Sequence, residues 1–255
     1  MYNDKTTGIL YQLCKQNKEF DEAIKQMESQ HQFVVSQITH EIRNPLTLIS
    51  STIQLLESHY PEIAESNLWE QLTDDVSDLV LLLDDVTAYN HSTKLNLQTC
   101  DLNHMLQKLI QGFQIHTSSR NITIEMIATE DTKHKLVTFL CDPIKLKQAF
   151  TNIIKNAVEA MDESGVIQIH ISNELLSMNN EQSSTEYITI SFKNNGEPIN
   201  LDDTLNIFEP FVTYKPNGTG MGLAVTQQII HAHEGYIKLL LDENWTEFKI
   251  FLPNR

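Results

Sequence analysis

The chain has few cysteines and no long apolar segment, and both absences exclude classes of protein. Its three cysteines, Cys14, Cys100 and Cys141, are scattered and odd in number, so neither a disulfide framework nor a cysteine metal site is predicted. No stretch approaches the roughly 18–20 apolar residues that a membrane-spanning helix needs. The N-terminus also lacks the apolar core of a signal peptide. We therefore expect a cytoplasmic protein with no membrane span, in which the cysteines are structural thiols.

Basic residues are scarce as well. Against 34 Asp and Glu, the 255-residue chain has 18 Lys and Arg, which gives a formal charge of −16. This charge repels the phosphate backbone of DNA and RNA, so nucleic acid is not an expected partner. A nucleotide is still compatible, because it needs only a local pocket. Apolar residues make up 40% and charged residues 20% of the chain, a balance typical of a globular protein.

The first half of the chain is predicted to be helical. Apolar residues recur at steps of three and four from Phe33 to Leu56, and Pro61 ends this run. A second run, with the spacing of a coiled-coil seam, extends from Leu68 to Val86. Two long helices joined by a short break form a hairpin whose apolar seam is only partly covered. Two hairpins are therefore expected to pair as a four-helix bundle in a homodimer.

After about Leu95 the pattern changes to short strands and capped helices. Helices are predicted over Asp101–His116, Pro143–Met161 and Leu223–His233. Strands are predicted over Ile122–Ile127, Val166–Ile171, Tyr187–Phe192, Tyr236–Leu241 and Phe248–Leu252. The fold class is thus α+β: a helical hairpin followed by an α/β sandwich with helices on one face of a mixed sheet. The expected divisions are a helical or linker segment over residues 1–30, a bundle-forming domain over 31–95 and a sheet domain over 96–255.

His40 is predicted to lie on the side of its helix that faces away from the apolar stripe. At about 100° per residue, the stripe from Val34 to Leu56 centres about 180° from His40. Glu41 is its neighbour, and Asn44 lies one turn along on the same side. A neutral imidazole is a good nucleophile, a carboxylate can take up its ring proton, and an amide can hold a water. Pro45 lacks an N–H and is expected to bend or loosen the helix.

Two elements of the second half suit a nucleotide. Asn152 and Asn156 lie four residues apart on one helix face, with oxygens suited to Mg²⁺ and phosphates, and Lys155 adds positive charge. A glycine loop then opens onto a helix N-terminus, where free N–H groups favour phosphate. Its glycines are Gly218, Gly220 and Gly222.

The segment HEIRNPL closely resembles the phosphoacceptor box, H-E-x-R-x-P-L, of two-component sensor histidine kinases. The resemblance extends from about Phe33 to Arg255. The general sequence pattern is similar to that of sporulation-type kinases of spore-forming bacteria. It implies a HisKA-type dimerisation and phosphoacceptor domain followed by a GHKL-type ATP-binding domain. It also implies that His40 is the phosphorylated residue and Glu41 its acid–base helper. Glu41 and Asn44 match the E-x-x-N/T element used in dephosphorylating the partner.

The nucleotide elements follow the order of this family. NIIKNAVEAM resembles the N box, IFEPFVTYK the F box and NGTGMGLAV the second glycine box. The ATP-binding residues that this implies are Asn152, Lys155, Asn156, Asn194, Gly196, Thr213, Lys215, Gly218, Thr219, Gly220, Met221, Gly222 and Leu223. Asn152 and Asn156 are the implied metal residues, and ATP and Mg²⁺ are the expected cofactors.

The first glycine box, D-x-G-x-G in the family, reads KNNGEPI in this chain. Asn194 replaces the aspartate that accepts a hydrogen bond from the adenine amino group, and Pro198 replaces the second glycine. An asparagine oxygen can accept the same bond but lacks the charge assistance, worth on the order of 1 kcal/mol. Pro198 stiffens the loop and removes one donor. We therefore expect weakened ATP binding and not its loss.

The predicted function is a histidine kinase that phosphorylates its own His40 from Mg-ATP. It then transfers the phosphoryl group to an aspartate of a response regulator receiver domain, and dephosphorylation of that regulator is a further expected activity. An upstream sensor protein is the other partner considered. The alternative is a phosphorelay or regulatory protein that handles phosphoryl groups at His40 with a degenerate nucleotide site, and the altered adenine box favours it. A gyrase- or chaperone-type ATPase is disfavoured, because it does not explain HEIRNPL.

Overall fold

The computed structural model describes residues 18–128, 136–177, 184–200, 204–213, 215, 218–242 and 244–254. The chain divides into two compact units between His91 and Ser92. In the described ranges, no helix combines the length and the apolar character needed to cross a membrane. Residues 1–17 of the predicted N-terminal segment, with Cys14, lie outside the described residues.

The first unit is a helical hairpin. Helix α1 (Lys18–His59) is followed by a 3₁₀ turn (Pro61–Glu65) and helix α2 (Asn67–His91). Pro61 takes the first position of the 3₁₀ turn, where its missing N–H costs no helical hydrogen bond. Helix α1 continues through Pro45 without a break. The prediction of two long helices joined by a short break is confirmed.

The apolar residues of α1 divide into two adjacent stripes. Leu46 and Ile53 are buried inside the hairpin, together with Val76 of α2. At the other end of the seam the contact is polar, and Asn90 Nδ2 donates to the Gln32 carbonyl at 2.7 Å. The second stripe and its counterpart on α2 form an open apolar face. The exposed residues of this face include Ile38, Ile42, Ile49, Leu68, Leu72 and Leu79.

The second unit contains two sheets and three long helices among the described residues. Its elements are β1 (Gln98–Cys100), α3 (Leu102–His116), β2 (Asn121–Ala128), β3 (Phe139–Cys141), α4 (Pro143–Glu159), β4 (Ser164–Ser177), β5 (Ser184–Asn194), α5 (Gly222–Ala232), β6 (Tyr236–Asp242) and β7 (Trp245–Pro253). Strands β1 and β3 pair antiparallel, and the larger sheet has the order β2-β4-β5-β7-β6. The β2–β4 pair is parallel and the other pairs are antiparallel. The predicted mixed sheet is confirmed.

Helix α4 begins where its sequence predicts. Asp142 caps it by accepting from the backbone N–H groups of Ile144 and Lys145, both at 3.1 Å, and Pro143 takes the first helical position. The Asp142 N–H donates in turn to His233 Nε2 at 3.0 Å, in a buried setting. The helix ends at Glu159 and not at the predicted Met161. These bonds fix the start of α4, and with it the position of the asparagines further along.

The core lies between α4, α5 and one face of the larger sheet. Phe150 of α4 packs on Phe192 of β5, with ring centroids 5.5 Å apart. Strands β1 and β3, three residues each, were not predicted. Cys100 and Cys141 lie on them as free thiols. Burial raises the pKa of the Cys141 thiol, which agrees with a structural role because the reactive thiolate is disfavoured.

Candidate functional site

The turn of α1 that carries the phosphoacceptor candidate is exposed on one side and tied to α2 on the other. His40, Glu41 and Asn44 are all exposed. Arg43 points to α2, with Nη1 2.6 Å from Asp84 Oδ1 and Nη2 donating to Thr87 Oγ1 at 3.2 Å. The His40 ring is thus open to a reaction partner, while the backbone that carries it is held against the second helix.

Pro45 changes the hydrogen bonding of this turn. Because it has no N–H, the Glu41 carbonyl lacks its usual helical donor. Thr47 Oγ1 donates to the Arg43 carbonyl at 2.9 Å, which adds a side-chain bond close to the gap. The helix therefore stays continuous, but the Glu41 carbonyl oxygen beside His40 accepts no hydrogen bond from the backbone N–H one turn further on.

In the second unit, the two asparagines of α4 have different partners. Asn152 Nδ2 donates to the Gly222 carbonyl at 2.9 Å, and Thr226 Oγ1 donates to the same carbonyl at 2.8 Å. Asn152 thereby links α4 to the first turn of α5. Asn156, one turn further on, instead accepts from Lys215 Nζ through Oδ1 at 3.3 Å.

Glu159 joins Asn156 and the two predicted lysines in a charged cluster. Lys215 Nζ lies 2.5 Å from Glu159 Oε2, and Lys155 Nζ lies 3.7 Å from Glu159 Oε1. Glu159 was missed in the sequence prediction. The signal that could have found it is its spacing of three residues from Asn156, which places both side chains on one helix face.

This cluster suits a magnesium ion. Among the described residues there is no group of three or more His, Cys, Asp or Glu side chains that could hold a metal. Asn156 Oδ1 and Glu159 Oε2 nevertheless converge on one cationic atom, Lys215 Nζ. Mg²⁺ typically takes one or two protein oxygens and completes its shell with phosphates and waters. The residues present fit that mode of binding.

Two buried side chains at the position predicted for base recognition each have a polar atom without a hydrogen-bond partner among the described residues. Asn194 ends β5 and is aligned with Thr246 of β7, and each residue is only 4% exposed. Neither Asn194 Nδ2 nor Thr246 Oγ1 has a hydrogen-bond partner among the described residues. Because buried polar atoms are nearly always paired, these two atoms require a partner, which a bound ligand or a water can supply.

Thr246 was not among the predicted site residues. The sequence feature that could have indicated it is the alternating pattern of β7, in which Thr246 shares a face with the buried Phe248 and Ile250. A threonine among inward-facing apolar residues requires a hydrogen-bond partner.

The loop after Asn194 lies close to the end of α4. Asn195 Oδ1 accepts from the Val166 N–H at 2.7 Å, and the Glu197 N–H donates to the Ala160 carbonyl at 2.7 Å. A Cβ atom at Gly196 would lie 2.4 Å from that carbonyl oxygen, so only glycine fits there. Pro198 lies at the edge of this loop. With five neighbours it lines an open cleft whose residues are Asn195, Gly196, Pro198, Asn244, Trp245 and Thr246.

The second glycine box requires glycine at position 220 and leaves little space for a side chain at position 218. Gly220 has a φ of +67°, and a Cβ there would lie 2.6 Å from the Phe211 carbonyl carbon. A Cβ at Gly218 would lie 2.4 Å from Thr213 Oγ1. The Gly220 carbonyl accepts from the Phe211 N–H at 3.1 Å, which joins the F box to the glycine box.

The glycine box leads directly into α5. Gly222 is the first residue of α5, and a Cβ there would make only ordinary contacts, at 3.7 Å from Asn152. Met221 is 1% exposed and its N–H donates to Thr219 Oγ1 at 3.4 Å. Leu223 follows in the first helical turn. The predicted glycine-box residues therefore surround a helix N-terminus, as anion binding requires.

Comparison with protein families agrees with this geometry. The His Kinase A (phospho-acceptor) domain matches residues 30–92. The histidine kinase-, DNA gyrase B- and HSP90-like ATPase family matches residues 141–255. These matches together span more than half of the chain, and they confirm the expected pair of domains. The chain therefore belongs to these two domain families, one in each matched range.

Individual relatives are of the same kind. The chain is 28% identical over 217 residues to sporulation kinase C of Bacillus subtilis (strain 168), covering 85% of this chain and 47% of that protein. It is 29% identical over 218 residues to the sensor histidine kinase ZraS of Salmonella typhimurium, covering 85% and 44%. The chain thus spans about half the length of these relatives.

Solved structures show the same architecture. The histidine kinase ThkA, in complex with the response regulator protein TrrA, is 26% identical with a TM-score of 0.59, over 87% of this chain and 61% of that chain. Full-length ShkA in complex with AMPPNP has a TM-score of 0.67 at 22% identity, over 86% of this chain and 45% of that chain. The ShkA likeness concerns the fold alone.

Proposed function

We propose that the chain is the kinase core of a sensor histidine kinase, which phosphorylates His40 from Mg-ATP and passes the phosphoryl group to an aspartate of a response regulator. One observation carries the proposal. One chain combines a helical hairpin of the phosphoacceptor family, in which His40 is exposed, with a unit of the ATPase family. In the second unit, the position assigned to base recognition has buried polar atoms without hydrogen-bond partners among the described residues. The bundle-forming and ATP-binding domains are assigned to residues 31–95 and 96–255.

In the proposed reaction, one ring nitrogen of neutral His40 attacks the γ-phosphorus of ATP. The bond from that phosphorus to the bridging oxygen breaks, and ADP leaves with the electron pair. Glu41 takes up the proton that the imidazole releases as the phosphorus–nitrogen bond forms. Bound Mg²⁺ would offset the phosphate charge, and Asn156 with Asn152 on the same helix would hold it. Lys155, Lys215 and the N-terminus of α5 face the remaining charge.

The proposed protein partners follow from the hairpin. ThkA was solved in complex with the response regulator TrrA, which supports a receiver domain as the acceptor. Asn44, exposed one turn from His40, is assigned to position the water that hydrolyses the acyl phosphate of that partner. The open apolar face of the hairpin supports a homodimer. An upstream sensor protein as the source of the stimulus stays a prediction.

Labelling with γ-³²P-ATP and Mg²⁺ tests the phosphoacceptor. We expect an acid-labile, alkali-stable label that is absent from His40→Gln and present in the control His31→Gln, a second exposed histidine of α1. ATP affinity in His40→Gln should equal that of the wild type. An acid-labile label on the His40→Gln protein contradicts the assignment.

The replacement of aspartate by Asn194 favours a second candidate, a phosphorelay protein that handles phosphoryl groups at His40 without efficient use of ATP. Calorimetric titration with Mg-ATP separates the two functions. Saturable binding together with His40 labelling supports the kinase. Absent binding, with His40 labelled only by a phosphorylated partner, supports the relay protein.

A further inference from the structure

Lys215 and two oxygens of α4 form a cation site within the protein itself. The Lys215 ammonium lies 2.5 Å from Glu159 Oε2 and 3.3 Å from Asn156 Oδ1. A carboxylate and an amide oxygen from successive turns of one helix thus converge on a single positive atom. The backbone of Lys215 is also anchored, because its N–H donates to Thr213 Oγ1 at 3.2 Å. The arrangement places a cation where α4 presents its oxygens.

A metal ion bound at Asn156 would compete with this ammonium. The inference rests on the proposed function, in which Asn156 holds the metal of Mg-ATP, and the oxygens that now face Lys215 are of the type that Mg²⁺ prefers. The ion pair is open to solvent, since the side chains of Lys215 and Glu159 are 42% and 38% exposed. Exposed pairs of this kind are weak and screened by salt. A divalent ion that arrives with phosphates can therefore displace the lysine.

The charge of Glu159 gives this exchange a direction. Without a metal, a carboxylate beside the polyphosphate repels it, and Lys155, at 3.7 Å from Glu159 Oε1, offsets only part of that charge. With a metal in place, the same carboxylate attracts the bound cation. Lys215, released from Glu159, is then free to pair with a phosphate oxygen, so no charge is left without a partner.

We propose that Glu159 is a positioning residue that makes nucleotide binding depend on a divalent cation. It holds Lys215 at the metal position in the described arrangement, and it turns to the metal when Mg-ATP binds and Lys215 moves to the phosphates. The pair of Glu159 and Lys215 thereby selects the metal complex of the nucleotide over the metal-free form.

Calorimetric binding of the non-hydrolysable analogue AMPPNP, with Mg²⁺ and with EDTA, tests the first consequence. Glu159→Gln should bind metal-free AMPPNP about fivefold tighter than the wild type, because one repulsive charge is removed. It should bind Mg-AMPPNP more weakly, so the ratio of the two affinities falls by about tenfold or more. Glu163→Gln, which removes an exposed acid outside the cluster, is the matched control and should keep the wild-type ratio. An unchanged ratio in Glu159→Gln overturns the proposal.

Mn²⁺ alone, followed by electron paramagnetic resonance, tests the second consequence without nucleotide. Lys215→Met should bind Mn²⁺ more tightly than the wild type, because Asn156 and Glu159 lose their internal cation. The double variant Lys215→Met/Glu159→Gln should lose that gain. If neither the wild type nor any variant binds AMPPNP, but Lys215→Met still binds Mn²⁺ more tightly than the wild type, the proposed function fails while the cation site stands. If nucleotide binds and the Mn²⁺ affinity does not change, the inference about Glu159 and Lys215 fails alone.

Discussion

Arg43 and Asp84 connect the two helices of the hairpin through an ion pair 2.6 Å long. Arg43 stands three residues after His40, inside the HEIRNPL segment, and it also donates to Thr87 Oγ1 on the second helix. The arginine of the HEIRNPL segment therefore holds the backbone of the turn that carries the proposed phosphoacceptor, while His40 itself stays exposed.

Alanine at Arg43 or Asp84 should lower stability only slightly. Both side chains are substantially exposed, at 40% and 51%, and exposed ion pairs contribute about 0.2–1 kcal/mol. Urea unfolding of the wild type, the two single variants and the double variant gives the coupling energy directly. His40 labelling should persist in Asp84→Ala, since the carboxylate holds the helix and not the reacting ring. A coupling above about 2 kcal/mol would show that the pair is shielded from water.

Two glycine substitutions should change stability in opposite directions. Gly112→Ala should stabilise the protein by about 0.5–1 kcal/mol, because glycine is unfavourable inside a helix. Its site in α3 is exposed, and a Cβ there has no other atom within 4 Å. Gly196→Ala should destabilise by about 1–3 kcal/mol, because its Cβ would lie 2.4 Å from the Ala160 carbonyl oxygen.

Thermal unfolding of both variants, with and without Mg-ATP, is the measurement. Gly112→Ala should keep the stabilisation by nucleotide, whereas Gly196→Ala should lose much of it because the loop after Asn194 moves off α4. Equal stability of the two variants would contradict the close approach at Gly196.

The local features of the sequence predicted most of the fold. Periodicity located both hairpin helices, and the Asp142–Pro143 pair located the start of α4, because a cap depends on neighbouring residues. Strands β1 and β3 were missed, since three residues show no period and their pairing joins segments about forty residues apart.

The residues of the candidate site were likewise predictable only where they follow short sequence motifs. The asparagines and glycines of the site follow short motifs and could be named in advance. Glu159 and Thr246 could not, because their roles depend on partners distant in sequence: Glu159 meets Lys215 across 56 positions, and Thr246 meets Asn194 through strand register. Sequence spacing does not specify such contacts, whereas the folded sheet and the F-box loop do.

Glutamate at two neighbouring positions of α2 should distinguish dimer formation from hairpin folding. Leu72 is 44% exposed on the open apolar face, whereas Val76 is 9% exposed inside the hairpin. Leu72→Glu should dissociate the homodimer and leave a helical monomer, because the charge would be buried only in the dimer. Val76→Glu should unfold the hairpin, because an unpaired charge inside it costs several kcal/mol.

Sedimentation velocity combined with circular dichroism checks both outcomes. The wild type should sediment as a dimer at micromolar concentration, and the helical signal should fall only for Val76→Glu. A wild-type monomer with full helical content would contradict the homodimer.

Asn194 and Thr246 lie in register on β5 and β7, and they give the last prediction. The Asn194 atom without a partner among the described residues is Nδ2, a donor, whereas the adenine amino group needs an acceptor. Asn194→Asp should tighten ATP binding by up to roughly tenfold, since a carboxylate accepts a stronger hydrogen bond from the adenine amino group. The gain should be smaller for GTP, whose ring presents an oxygen at the same place, and an oxygen is repelled by a carboxylate.

Thr246→Val, which keeps the shape and removes the hydroxyl, should weaken ATP binding without restoring discrimination between the bases. Calorimetric titration of the three proteins with ATP and GTP is the measurement. Weaker ATP binding by Asn194→Asp would mean that the carboxamide is itself the preferred partner of the base, in a pocket rebuilt around Asn194 and Pro198.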